Sequence, residues 1–110
     1  MRITRLEKFL RGWIVGDFSP TLLRTKQFEF AVKNYRTGEK EEPHFHKVAT
    51  EISVVVHGLF SINGKKLKAG DVLIMKPFDI SDFKCIKSGS TAIIKIPSVK
   101  GDKYLVKKEK

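Results

Sequence analysis

From Gly12 onward the chain is written as short apolar runs separated by turn residues. "WIVGDF" (13–18) ends at Ser19-Pro20, and "KQFEFAVKNY" (26–35) ends at Thr37-Gly38. Then follow "EISVVVHG" (51–58), "LFSI" (59–62), "KKLKA" (65–69), "DVLIMK" (71–76), "DFKCIK" (82–87) and "TAIIKI" (91–96). Asn63-Gly64, Gly70, Pro77, Ser88-Gly89 and Pro97 stand between them. Asn-Gly favours a type I′ turn, whose two central residues both need positive φ. The pattern therefore predicts a tight hairpin of 59–62 with 65–68. Many short strands at regular spacing predict an all-β sandwich or barrel. Runs such as Ile52–Val56 and Ala92–Ile94 lack polar alternation, as strands covered on both faces do. Residues 3–10, "ITRLEKFL", suit a short helix or an edge strand equally.

Within this pattern, His44-Phe45-His46 changes the picture. On a strand, residues i and i+2 point to one face. Two neutral imidazoles side by side make a bidentate claw for a transition metal. Glu51 opens the next apolar run after the four residues "KVAT". A loop there brings its carboxylate to the same point, giving two histidines and one carboxylate with open positions left over. The competing reading is a solvated histidine patch, with Glu51 satisfied by a lysine. His57 shares the parity of Glu51 but lies about 20 Å along the strand at ~3.3 Å per residue, too far to join.

The stretch Gly38, five residues, His44, one residue, His46, four residues, Glu51, six residues, Gly58 resembles the first signature of the cupin superfamily throughout. The resemblance covers roughly residues 35–97. It implies a cupin-type jelly-roll β-barrel (double-stranded β-helix) as a single domain over 1–110, with the flanks adding strands. The second signature of that family is a glycine, a short apolar strand, Pro-x-Gly, two residues, His, three residues, Asn. Here Gly70 opens it, Pro77 comes one residue late, Asp79 replaces the glycine, and the histidine position falls on Asp82. The resemblance thus implies a metal set of His44, His46, Glu51 and Asp82. The cofactor expected is one divalent transition metal: Fe, Mn, Ni or Zn. Arg36, Phe45, Ser53, Lys76, Phe78 and Lys95 are the expected pocket residues. An inward Lys76 or Lys95 would favour an anionic substrate, although outward lysines are the commoner case. Cys85 reads as core.

Composition narrows the class. The chain has 110 residues, 41% hydrophobic and 31% charged, which fits one globular domain. Its single cysteine allows no internal disulfide and suits a reducing compartment, so a cytoplasmic location is expected. No stretch approaches the roughly 18 apolar residues of a membrane span. The net charge of +10 raises a nucleic-acid-binding barrel, but the basic residues are scattered and nucleic acid is not the expected partner. Three functions stay open: a metal-dependent cupin enzyme of oxygenase or isomerase type, a non-catalytic ligand- or metal-binding cupin, and a basic nucleic-acid-binding barrel. By analogy with cupins, a homodimer is expected, with Ile3, Leu6, Phe9 and Leu10 as its contact segment.

Overall fold

The computed structural model describes residues 1–107; Lys108 and Lys110 of the terminal lysine run lie outside them. Among these residues eight strands make up the fold. They are β1 (Trp13–Val15), β2 (Glu29–Tyr35), β3 (His44–Phe45), β4 (Thr50–Ile62), β5 (Lys65–Lys68), β6 (Val72–Met75), β7 (Phe83–Ile96) and β8 (Tyr104–Leu105). The larger sheet runs β1-β2-β7-β4-β5, with β6 also paired to β4; β3 and β8 form a second, two-stranded sheet. Every named pairing is antiparallel.

The Asn63-Gly64 hairpin forms as the sequence predicts, both residues at positive φ (51° and 81°), with Leu59 opposite Lys68. Two expected breaks do not interrupt their strands. Residues 51–58 and 59–62 are one strand, and so are 82–87 and 91–96. The reason lies where Gly58 meets Gly89. A Cβ on Gly58 would come within 2.6 Å of the Gly89 Cα, and one on Gly89 within 2.0 Å of the His57 carbonyl oxygen. Two glycines let long strands cross at a register shift, so they mark a bulge and not a turn. In the segment 3–10, which suited a helix or an edge strand, Leu6–Lys8 forms a 3₁₀ turn, and Leu10–Gly12 forms a second.

The barrel closes around Val55, Phe60, Ile62, Met75, Phe83 and Cys85. Phe60 and Cys85 are fully buried, so Cys85 is core. Tyr35, Phe60 and Phe83 pack ring on ring at 5.1–5.5 Å. Strand parity then sets the inner face. One inward row across three strands reads Glu29–Lys95–Glu51, with Met75 beyond it on β6. That row places two buried carboxylates and a lysine at one end of the barrel.

Candidate functional site

The two histidines sit at the end of β3 and just beyond it. Each is about 5% exposed, and their rings stand edge to face at 5.4 Å. The segment is pinned from two sides. His44 exchanges backbone hydrogen bonds with Ser81, while Phe45 pairs with Tyr104 on β8. The loop to Glu51 is held by Asp102. Its carboxylate accepts the backbone N–H groups of Lys47, Val48 and Ala49 at 2.9–3.2 Å. Burial alone would raise the Asp102 pKa, but these three donors outweigh it and hold the carboxyl below its ordinary range.

His44, His46 and Glu51 face one cavity of about 270 Å³, bounded by β1, β2, β7 and the segment after Gly101. Trp13 and Phe18 supply apolar wall. Arg11, Lys33, Lys95 and Lys103 supply positive charge against Glu29, Glu41 and Glu51. Lys33 pairs with Glu41 at 3.4 Å and Lys95 with Glu29 at 3.5 Å, and both ammoniums lie over the Trp13 ring. Arg11 and Lys103 make no ion pair among the described residues.

The protonation states follow from this setting. Burial, then Lys95 and His44, depress His46 to about 4, so its imidazole is neutral at pH 7. Burial also lowers His44, whose Nδ1–H donates to the Glu42 carbonyl at 2.8 Å and leaves Nε2 free for the cavity. A ring anchored at one nitrogen is how histidine usually presents the other to a metal. Burial raises the Glu51 pKa against the pull of Lys95. Burial pushes Glu41 up as well, but Lys33, His44 and Lys103 together bring it below its usual range. His46 carries a pH signature. Its folded pKa lies below the ordinary 6.5, so the unfolded chain binds more protons between about 6.5 and 4. Stability of the metal-free protein is therefore expected to fall as pH drops through that window, and melting curves of His46→Gln should lose part of that slope.

The structure brings together part of the expected set. His44, His46, Glu51 and Lys95 share the cavity, and Ser53 lines the narrower space behind Glu51. Lys95 points inward, the less expected of its two orientations. Asp82 does not join them. It is exposed, while its neighbour Ser81 is 4% exposed and stands opposite His44. Counting the second signature from Gly70 instead of Pro77 places its histidine position on Ser81 and its glycine position on Phe78. Phe78 indeed has a φ of 73°, the conformation a glycine would take there. The late proline misplaced the count by one residue, and one residue reverses the strand face.

Four expected pocket residues lie elsewhere. Arg36 and Lys76 are exposed. Phe45 stacks between Phe78 and Tyr104 at 6.1 and 5.6 Å on the outside, so neither phenylalanine walls the cavity. His57 is exposed and apart. Trp13, Lys33, Glu41, Asp102 and Lys103 were not anticipated. The inward row from Glu51 through Lys95 could have revealed Glu29, but no periodic signal marks Asp102 or Lys103.

The donor types suit a divalent transition metal: two neutral imidazoles and a largely buried carboxylate that has no ion-pair partner among the described residues. As the side chains lie, no three of His, Cys, Asp and Glu among the described residues gather closely enough to hold one.

No family model matches the chain, and no curated protein is significantly similar to it. Solved structures are similar. A protein with a double-stranded β-helix domain from Klebsiella pneumoniae is 22% identical, with TM-score 0.72, the match covering 97% of this chain and 93% of that one. An RmlC-like cupin from Shewanella frigidimarina is 22% identical at TM-score 0.63, covering 69% and 71%. The bacterial pirin YhhW from Escherichia coli, solved in complex with nickel(II), is 15% identical at TM-score 0.66, covering 80% of this chain and 39% of that one. The likeness is one of fold: this chain has the double-stranded β-helix fold that these cupin structures share.

Proposed function

We propose that this chain binds a small organic anion in the cavity between β1, β2 and β7, over a divalent transition metal held by His44, His46 and Glu51. The observation that carries the reading is the meeting of two neutral imidazoles, one unpaired carboxylate and four cationic side chains in one cavity. A metal there supplies a Lewis acid or an oxygen-binding centre. Lys103 and Arg11, with no carboxylate partner among the described residues, are the groups that neutralise an incoming anion. Lys33 and Lys95, braced by Glu41 and Glu29, fix its orientation. Trp13 and Phe18 keep water from its apolar side. The nickel(II) complex of a fold neighbour supports the metal half of the reading.

A second reading, an anion-binding cupin without metal, is favoured by Ser81 at the fourth ligand position and by the surplus of cations. Metal analysis of untagged protein, joined to calorimetric titration with small carboxylates, tests both. Bound anion with no metal under replete conditions selects the second reading, and neither metal nor anion removes both. Whether any bound molecule is turned over is a separate question, to be met by an oxygen-consumption screen with Fe(II).

The lone buried thiol of Cys85 suits a reducing compartment such as the cytoplasm, and no helix among the described residues is long and apolar enough to cross a membrane. Pairing with a second copy through the N-terminal segment is also proposed. Ile3 and Leu10 there are 88% and 66% exposed, with Leu6 and Phe9 half-buried beside them. Light scattering should return the mass of two chains, and a single-chain mass at micromolar concentration removes the dimer.

A further inference from the structure

Behind Glu51 the barrel interior holds a second space, a chamber of about 30 Å³. It shares Glu41, Glu51 and Ile93 with the larger cavity, so the two adjoin. Its volume is room for roughly two waters, or for one small polar group of a ligand. Ser53, Ser81 and Thr91 line it. Thr91 is 3% exposed, and its Oγ1 has no hydrogen-bond partner among the described residues. A buried hydroxyl without a partner is costly, and natural interiors seldom leave one so. The Thr91 side chain points into the barrel because its register partners, Val55 and Lys33, belong to the same inner face.

The rest of the lining decides which group fits. Tyr35 and Asp71 also line it, and Val55, Leu73, Met75 and Phe83 supply its apolar surface. A carboxylate placed there would lie beside Glu41, Glu51 and Asp71, with no cationic side chain in the lining. An ammonium would lose its hydration in a space too small to replace it, and Lys33 already occupies Glu41. A neutral hydroxyl can both donate and accept, and it matches what Ser53, Ser81 and Thr91 offer. A ligand with its charge toward Lys95 and Lys103 would thus send an uncharged polar end inward past Glu51.

We propose that the chamber lined by Ser53, Ser81 and Thr91 is a hydroxyl-recognition subsite, and that the ligand class is therefore the small hydroxy acids. This rests on the anion-binding reading above and adds the identity of the ligand's second functional group.

The test is calorimetric titration with three acids of one carbon skeleton: lactate, propionate and alanine. Wild-type protein is expected to bind lactate tenfold to a hundredfold more tightly than propionate, and alanine no better than propionate. Thr91→Val keeps the shape of the side chain and should bring lactate down to propionate without weakening propionate. Ser53→Ala serves the same purpose should Thr91→Val melt far below wild type. Equal binding of lactate and propionate overturns the subsite and leaves the anion reading standing. Alanine ahead of lactate overturns it in favour of an amine. A lactate preference that survives both variants removes it from this chamber. No binding of any of the three overturns the anion reading and the subsite together.

Discussion

Asp102→Ala is expected to lower the stability of the protein by about 3 kcal/mol, since hydrogen bonds to a charged acceptor contribute ~1.5–3 kcal/mol each. Of the three backbone donors only that of Ala49 is buried, while those of exposed Lys47 and Val48 can turn to water. For a chain of this size that is a fall in melting temperature of about 12 °C, at about 4 °C per kcal/mol. The carboxylate is 4% exposed and makes no ion pair among the described residues; Lys47, Val48 and Ala49 bond to it through their main chain. Asp102→Asn should recover only part of the loss, because its amide presents one acceptor and turns its NH₂ toward backbone N–H groups. Asp71→Ala is the control. Asp71 also accepts a backbone N–H, that of Lys68 at 2.8 Å, but on an exposed turn where water can replace it, and the melting temperature should hardly move.

The pH dependence has a definite sign. Asp102 titrates below its ordinary value in the folded state, so its contribution is complete at neutral pH and is lost as pH falls through that lowered pKa. In the alanine variant that part of the acid limb should be absent. Because residues 47–49 join the histidine segment to Glu51, the same substitution should weaken ligand binding at a cavity that Asp102 does not line. A variant as stable as wild type would show that the 47–49 loop holds its shape without the carboxylate.

What the sequence made legible depends on how locally each feature is encoded. The hairpin at Asn63-Gly64 is a two-residue signal and forms as expected. The histidine pair and Glu51 are readable because strand parity and a four-residue loop are short-range matters. They face one cavity although β3 pairs with β8 and β4 with β5, β6 and β7. Asp82 failed for an equally local reason. The turn before β7 carries Phe78 at positive φ where the family pattern has glycine, and the proline beside it is displaced by one. Anchoring on proline reversed the face, whereas Gly70 keeps the inward residue at Ser81. Glycines at 58 and 89 read as chain breaks because sequence does not show that they face one another across β4 and β7. The cavity's cations were the least legible. Arg11 comes from the N-terminal 3₁₀ turn, Lys33 from β2 and Lys103 from the segment before β8. Three separate parts of the chain meet only in the folded barrel.

The second large effect concerns the metal claw. Wild-type protein loaded with Ni(II), Zn(II), Mn(II) or Fe(II) is expected to retain about one ion per chain of at least one of these. His46→Ala should lose it, with a fall in affinity of at least about a hundredfold, since even outer partners of a ligand are worth 10–100-fold. The variant must stay folded for this to mean anything. It should, because His46 is held by burial alone and donates no side-chain hydrogen bond among the described residues, whereas His44 is tied to the Glu42 carbonyl. His57→Ala should change nothing. Glu51→Gln keeps the shape and removes the charge, so it should weaken metal while relieving a carboxylate that burial disfavours; its melting temperature should rise as its metal affinity falls. Lys103→Ala separates metal from anion. Lys103 is exposed and makes no ion pair among the described residues, so its loss should leave the fold and the metal intact and weaken carboxylate binding alone. Metal content unchanged in His46→Ala would overturn the claw. Carboxylate affinity lost in Lys103→Ala but kept in metal-free wild type would mean that the cations, and not a metal, hold the anion.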